Sequence, residues 1–101
     1  TEVARSLLMS GSSIHYGYIA DSVLATNAKI GAGLITANKR LDRNTISTLV
    51  WDKMVQTNIS NFGTIIGENS KVGIGVGIMP GILIAADSQV LPGEIVSKNI
   101  M

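Results

Sequence analysis

From Thr64 to Val96 the aliphatic positions recur every six residues: Ile66, Val72, Ile78, Ile84, Val90 and Val96. All six are β-branched, and the spacing does not slip. Gly67, Gly73 and Ala85 follow three of them, small residues that let a chain turn without a Cβ clash. Met79, before Pro80 and Gly81, departs from this among the first four. Four residues after each of the first four, Ser70, Val76, Ile82 and Ser88 are also small or β-branched. A period of six is neither the 3.6 of a helix nor the 2 of an amphipathic strand. It predicts an all-β fold, a parallel β-helix of hexapeptide type, in which each unit forms one flat side of a triangular coil. The aliphatic residue points inward and stacks on its counterpart one coil, about 18 residues, away.

The same pattern is present upstream. Ile19, Leu24 and Ile30 take the inward position, and Thr36 is the next in line. The step from Ile19 to Leu24 is five residues, which predicts a tightened corner. Val3, Leu7 and Leu8 fit the last rungs of a coil that begins earlier, Arg5 reads as a solvated side chain, and Ser10 to Ser13 with Gly11 reads as a turn. Between Ala37 and Phe62 the period breaks, and Lys39, Arg40, Asp42, Arg43, Asp52 and Lys53 cluster there. Segment 37–62 is read as an inserted loop, with a short hairpin formed by Leu49–Trp51 and Met54–Thr57 around Asp52 and Lys53. Thr36 and Ile66 are five hexads apart, so the coil resumes in phase. Setting about 25 loop residues aside leaves about four coils. Loops of this length are usually functional or disordered, and in solenoids they commonly lie on the binding face.

Composition narrows the class. The 101 residues predict one domain, and 46% hydrophobic with only 4% aromatic residues suits a narrow aliphatic stack. A formal net charge of +1 makes no case for nucleic acid or an anionic membrane as partner. Without cysteine there are no disulfides or thiolate metal sites. No apolar run reaches the roughly 18 residues of a membrane helix, and no signal peptide is visible. The chain begins Thr1–Glu2 without an initiator Met and reads as a piece of a longer protein, and Lys98 to Met101 offers no evident cap for the coil. The only histidine, His15, lies in the polar aromatic cluster Ile14–Tyr18. Imidazole is the side chain best suited to proton transfer near neutrality, so His15 is the candidate general base. The plainer reading of a lone histidine is a surface or structural one. One histidine cannot supply the several protein ligands zinc demands, so no metal is expected.

The segment Ile30–Asn38, IGAGLITAN, resembles the "IGAGTITAN" run of archaeal bifunctional sugar-1-phosphate nucleotidylyltransferase/acetyltransferases, which are similar to bacterial glucosamine-1-phosphate acetyltransferase/N-acetylglucosamine-1-phosphate uridylyltransferase. His15, Tyr18, Ala20, Asp21 and Ser22 match the His-x-x-Tyr, small, Asp, Ser pattern that precedes it, and the run from Ile65 to Gly81 is similar to the family's "IIGDNVKIGINVSIMPG". The resemblance implies a left-handed coil and a homotrimer with sites between neighbouring prisms. It implies a cytoplasmic protein that transfers acetyl from acetyl-CoA to the amine of a hexosamine 1-phosphate. It also implies a nucleotidylyltransferase domain outside this chain, to which any Mg2+ would belong. By the same resemblance, His15 and Asn38 are catalytic, Tyr18, Lys39 and Arg40 meet the sugar phosphate, and Ala32, Gly73, Ile74 and Gly75 line the acetyl-CoA arm. The Ala32 N–H would face the thioester oxygen.

Several positions depart from the family pattern. Ser12 and Ser13 stand where relatives carry a Lys before the His, Lys29 stands where the bacterial enzymes have Asn, and Asn44 stands where a loop Lys is usual. These departures keep a second reading open: a non-catalytic trimerisation domain of a glucose-1-phosphate-type nucleotidylyltransferase. Catalysis predicts that His15 and Asn38 face each other across a cleft reaching a neighbouring chain, and the structural role predicts a filled or blocked cleft.

Overall fold

The computed structural model describes residues 2–37, 42, 45–50, 53–56 and 61–100. The chain circulates through three sheets in strict rotation. The first circuit is β1 (Glu2–Ala4), β2 (Leu7–Leu8) and β3 (Ser13–Ile14), and the second is β4 (Gly17–Ala20), β5 (Val23–Leu24) and β6 (Lys29–Ile30). The third opens with β7 (Leu34–Thr36), takes in β8 (Ser47–Val50) and β9 (Lys53–Gln56), and closes with β10 (Thr64–Ile66) and β11 (Lys71–Val72). Then come β12 (Gly77–Ile78), β13 (Ile82–Ile84) and β14 (Gln89–Val90), and β15 (Ile95–Val96) starts a further circuit. The first sheet is β1-β4-β7-β12-β15, the second β2-β5-β10-β13, and the third β3-β6-β11-β14. Every pairing in these sheets is parallel, which makes the fold a parallel β-helix. Among the described residues there is no helix, and so none able to cross a membrane.

The six-residue period sets the register. Leu8, Leu24, Ile66 and Ile84 stack in one ladder. Ile14, Ile30, Val72 and Val90 stack in the second, and Thr36, Ile78 and Val96 in the third. From Ile66 to Val96 all six repeat positions are buried and belong to one continuous core. Four residues further on, Ala28, Leu34, Ser70, Val76 and Ile82 are also buried, whereas Ser88 is half-buried and Glu94 is exposed. Most hexads therefore contribute two inward side chains, and the narrow bore explains why both are small or aliphatic rather than aromatic.

Corners are made by left-handed backbone. Gly11, Asn27, Asn69 and Asp87 occupy the same corner on successive circuits with φ of 75°, 62°, 58° and 61°. Glycine has no Cβ to clash there, and Asn and Asp tolerate the conformation through local side-chain bonding. The turn upstream is confined to Ser10 and Gly11, because Ser13 already pairs in β3. The shortened step after Ile19 is a corner at Asp21, with φ of 52°, beneath Arg5 with φ of 46°. Arg5 is not simply solvated as expected. Its Nε and Nη2 reach the two Asp21 carboxylate oxygens at 2.7 and 3.1 Å. This hydrogen bonding, reinforced by the opposite charge, raises the guanidinium pKa.

The insertion leaves and re-enters at the corner between the first and second sheets. Ala37 N–H still donates to the Ile78 carbonyl at 2.8 Å, and Gly63 N–H donates to the Asp21 carbonyl at 2.9 Å. Around this interruption buried hydroxyls replace missing ladder partners. Ala20 N–H donates to Thr36 Oγ1 at 3.1 Å, and Thr64 N–H donates to Ser22 Oγ at 3.0 Å. Ser22 Oγ donates onward to the Ala20 carbonyl at 2.8 Å, and Thr64 Oγ1 to the Ile82 carbonyl at 2.6 Å. Buried backbone groups are costly without partners, so these side chains hold the gap closed. The antiparallel pair matches the expected hairpin, with Val50 opposite Lys53. It is docked rather than free: Ile46 is buried, and Thr48 Oγ1 donates to the Gly81 carbonyl at 2.7 Å. At the other end the second sheet gains a further rung. Ile100 bridges to Ile84, and Asn99 Oδ1 accepts from Leu83 N–H at 2.8 Å.

Candidate active site

The corner between the third and first sheets carries the site. There the backbones of successive circuits are nested. His15 N–H donates to the Ile30 carbonyl at 3.1 Å, Gly31 N–H to Val72 at 2.7 Å, and Gly73 N–H to Val90 at 2.9 Å. One residue further on, Gly33 N–H donates to the Tyr16 carbonyl at 2.6 Å, and Gly75 N–H to the Ala32 carbonyl at 2.8 Å. His15, Gly31 and Gly73 thus form one column, and Tyr16, Ala32 and Ile74 form the next. A Cβ on Gly31 would lie 2.9 Å from both the Gly73 carbonyl carbon and the Ile74 nitrogen, so the circuits approach more closely than a side chain permits. Among the described residues no acceptor is bonded to the Ala32 N–H.

Beside this corner runs an open groove of about 660 Å3. His15, Ala32 and Ile74 line it together with Ser13, Lys29, Gly31 and Lys71, over a floor that includes Ile14, Ile30 and Val72. Three residues expected to act together are therefore neighbours across one groove. Gly73 and Gly75 are on the same corner, as the backbone that supports Ala32 and Ile74. Chemically, the groove offers an exposed imidazole, an unpaired backbone donor and an apolar wall. That combination suits an extended ligand with a carbonyl to polarise and a proton to remove.

Tyr18 lies elsewhere. It is on the outer face of the first sheet, in register with Ile35 and outside the groove lining, and its phenol faces Arg5. Asn38, Lys39 and Arg40 lie outside the described residues. Two groove residues were not expected as site residues: Lys29 and Lys71. Each directly precedes an inward residue, Ile30 or Val72, so the two-residue pleat puts both on the outer face. That alternation, applied one circuit apart, is the signal that identifies them.

No protein-family model matches the chain. Curated proteins do match along its whole length. It is 36% identical over 100 residues to a bifunctional sugar-1-phosphate nucleotidylyltransferase/acetyltransferase of Sulfurisphaera tokodaii, covering 98% of this chain and 25% of that protein. It is 34% identical over 101 residues to the bifunctional protein GlmU of Methanococcus aeolicus, covering 99% of this chain and 24% of that protein. It is also 34% identical to an uncharacterized acetyltransferase, YaiX, of Escherichia coli O6:K15:H31, covering 99% of this chain and 44% of that protein. The chain spans about a quarter of the length of the first two and less than half of the third.

Proposed function

We propose that this chain, homologous along its length to the C-terminal part of the archaeal bifunctional sugar-1-phosphate nucleotidylyltransferase/acetyltransferases, transfers an acetyl group from acetyl-CoA to the amine of a hexosamine 1-phosphate. The observation that carries the reading is the groove in which His15 meets the unpaired Ala32 N–H and Ile74. The lone pair of the acceptor's neutral amine attacks the thioester carbonyl as His15 takes a proton from the same nitrogen. A carbon–nitrogen bond forms, and the oxygen that gains charge is met by the Ala32 N–H. The carbon–sulfur bond then breaks, and the proton held by His15 passes to the departing thiolate. Ile74 and the glycine corner at Gly73 and Gly75 form the wall along which the thioester's arm lies. Asn38, Lys39 and Arg40 take the sugar and its phosphate, and Tyr18 contributes from the first-sheet face.

The proposal includes a left-handed coil and a homotrimer. Two outer columns favour self-association: Tyr18, Ile35, Gly77 and Ile95 on the first sheet, and Leu7, Val23, Ile65 and Leu83 on the second. Ile35 is 60% exposed and Ile95 65%, more apolar surface than a lone prism benefits from presenting to water. These columns equally suit the non-catalytic reading, a domain that only trimerises a nucleotidylyltransferase. The open groove favours catalysis, because a purely structural prism has no use for one beside its only histidine. The test is turnover of acetyl-CoA with glucosamine 1-phosphate and galactosamine 1-phosphate as acceptors. Thiol release that depends on one of these acceptors supports the reading, and a folded protein that releases none with either rejects it.

A further inference from the structure

The outer column of the third sheet differs from the other two. It runs Ser13, Lys29, Lys71 and Gln89, one residue per circuit and in register. Lys29 and Lys71 are direct partners across one parallel pair, so their Cα atoms are about 4.8 Å apart. Like charges side by side repel, and such a pair persists at low cost only where an anion or solvent offsets it. Both lysines line the groove that holds His15, and no described residue lining it carries a carboxylate. Lys29 is also held in place: its ammonium donates to the Gly11 carbonyl at 2.7 Å. That contact uses one of three ammonium donors and leaves the others free. Apart from His15, the Ser13 hydroxyl and backbone, the rest of the groove is apolar, so this pair supplies its fixed positive charge among the described residues.

We propose that Lys29 and Lys71 form a two-cation cradle for a phosphate group of the ligand that occupies the His15 groove. The cradle itself follows from the groove's charge; only the identity of the phosphate carrier, coenzyme or sugar, rests on the acetyl-transfer reading. Charge-assisted bonds to a phosphate are strong enough to fix how far along the groove a ligand sits relative to His15. The acceptor position of a tethered phosphate would then be set by Lys29 and Lys71 rather than by the apolar wall.

The test titrates inorganic pyrophosphate, CoA and glucosamine 1-phosphate into the full chain and into Lys71→Gln and Lys29→Gln/Lys71→Gln variants. All these side chains are exposed, so the variants keep the fold. Pyrophosphate should bind the unaltered chain, with weakening by about threefold in the single variant and about tenfold or more in the double. A matching loss for CoA alone assigns the cradle to the coenzyme, and a loss for glucosamine 1-phosphate alone assigns it to the acceptor. Pyrophosphate affinity equal in all three proteins, or absent from the unaltered chain, overturns the cradle. A cradle confirmed with pyrophosphate in a protein that binds neither CoA nor the sugar phosphate would instead count against acetyl transfer.

Discussion

His15 stands one rung above Gly31, its N–H bonded to the Ile30 carbonyl at 3.1 Å just as Gly31 N–H is bonded to Val72 at 2.7 Å. The coil therefore sets the His15 backbone one strand spacing, about 4.8 Å, from the Gly31–Ala32 step. In the acetyl transfer proposed, a base at His15 and a backbone donor at Ala32 on adjacent rungs would serve one carbonyl between them, which is where fixed dipoles are most effective.

The stack should fail if one rung is charged. Ile78 is fully buried, paired with Thr36 on one side and Val96 on the other. Ile78→Ala should cost about 2–5 kcal/mol by leaving a cavity. Ile78→Asp should abolish cooperative unfolding, because an unpaired carboxylate would sit in an aliphatic bore. Thermal denaturation followed by circular dichroism reads both, and a normal transition in Ile78→Asp would show that the side chain does not face inward.

Thr64 should prove structural rather than replaceable by its isostere. It is fully buried, and its hydroxyl donates to the Ile82 carbonyl at 2.6 Å beside the point where the insertion rejoins the coil. Thr64→Val keeps the shape and removes the donor, so denaturant titration should give a loss of about 1–2 kcal/mol. Equal stability would mean that the hydroxyl contributes nothing to closing the gap.

Asp21 serves a corner and an ion pair, and two substitutions separate them. Asn tolerates the positive φ of 52° and loses the charge, whereas Ala loses both. Asp21→Ala should therefore be less stable than Asp21→Asn by about 1 kcal/mol. Since the Arg5 pKa is raised, that residue stays charged through the acid and neutral range, and its own titration should introduce no pH dependence there. Identical melting of the two variants would remove the backbone argument at this corner.

The fold was legible because one physical constraint repeats. A narrow bore accepts only slender inward residues at fixed intervals, so Ile66 to Val96 could be assigned to the interior by spacing alone, and Thr36 took its expected place despite being polar. What escaped the pattern was local. The hydroxyl of Thr36 faces inward because it meets Ala20 N–H, a partner created by the five-residue step rather than by hydropathy. The burial of Ile46 and the tether from Thr48 come from a segment with no period to read. The rung at Asn99 and Ile100 falls outside the six-residue spacing. His15, Ala32 and Ile74, singled out by motif, lie along one groove, while Lys29 and Lys71 needed the register between circuits, which a linear motif does not contain.

The most direct test of the account compares acetyl-CoA turnover by the unaltered protein and by His15→Ala, with glucosamine 1-phosphate as acceptor and melting recorded on the same samples. The exposed imidazole makes no contact the core requires, so melting should be unchanged while turnover falls by about 100- to 10,000-fold, the usual contribution of a positioned base. A folded His15→Ala protein that turns over at the unaltered rate would contradict the central claim.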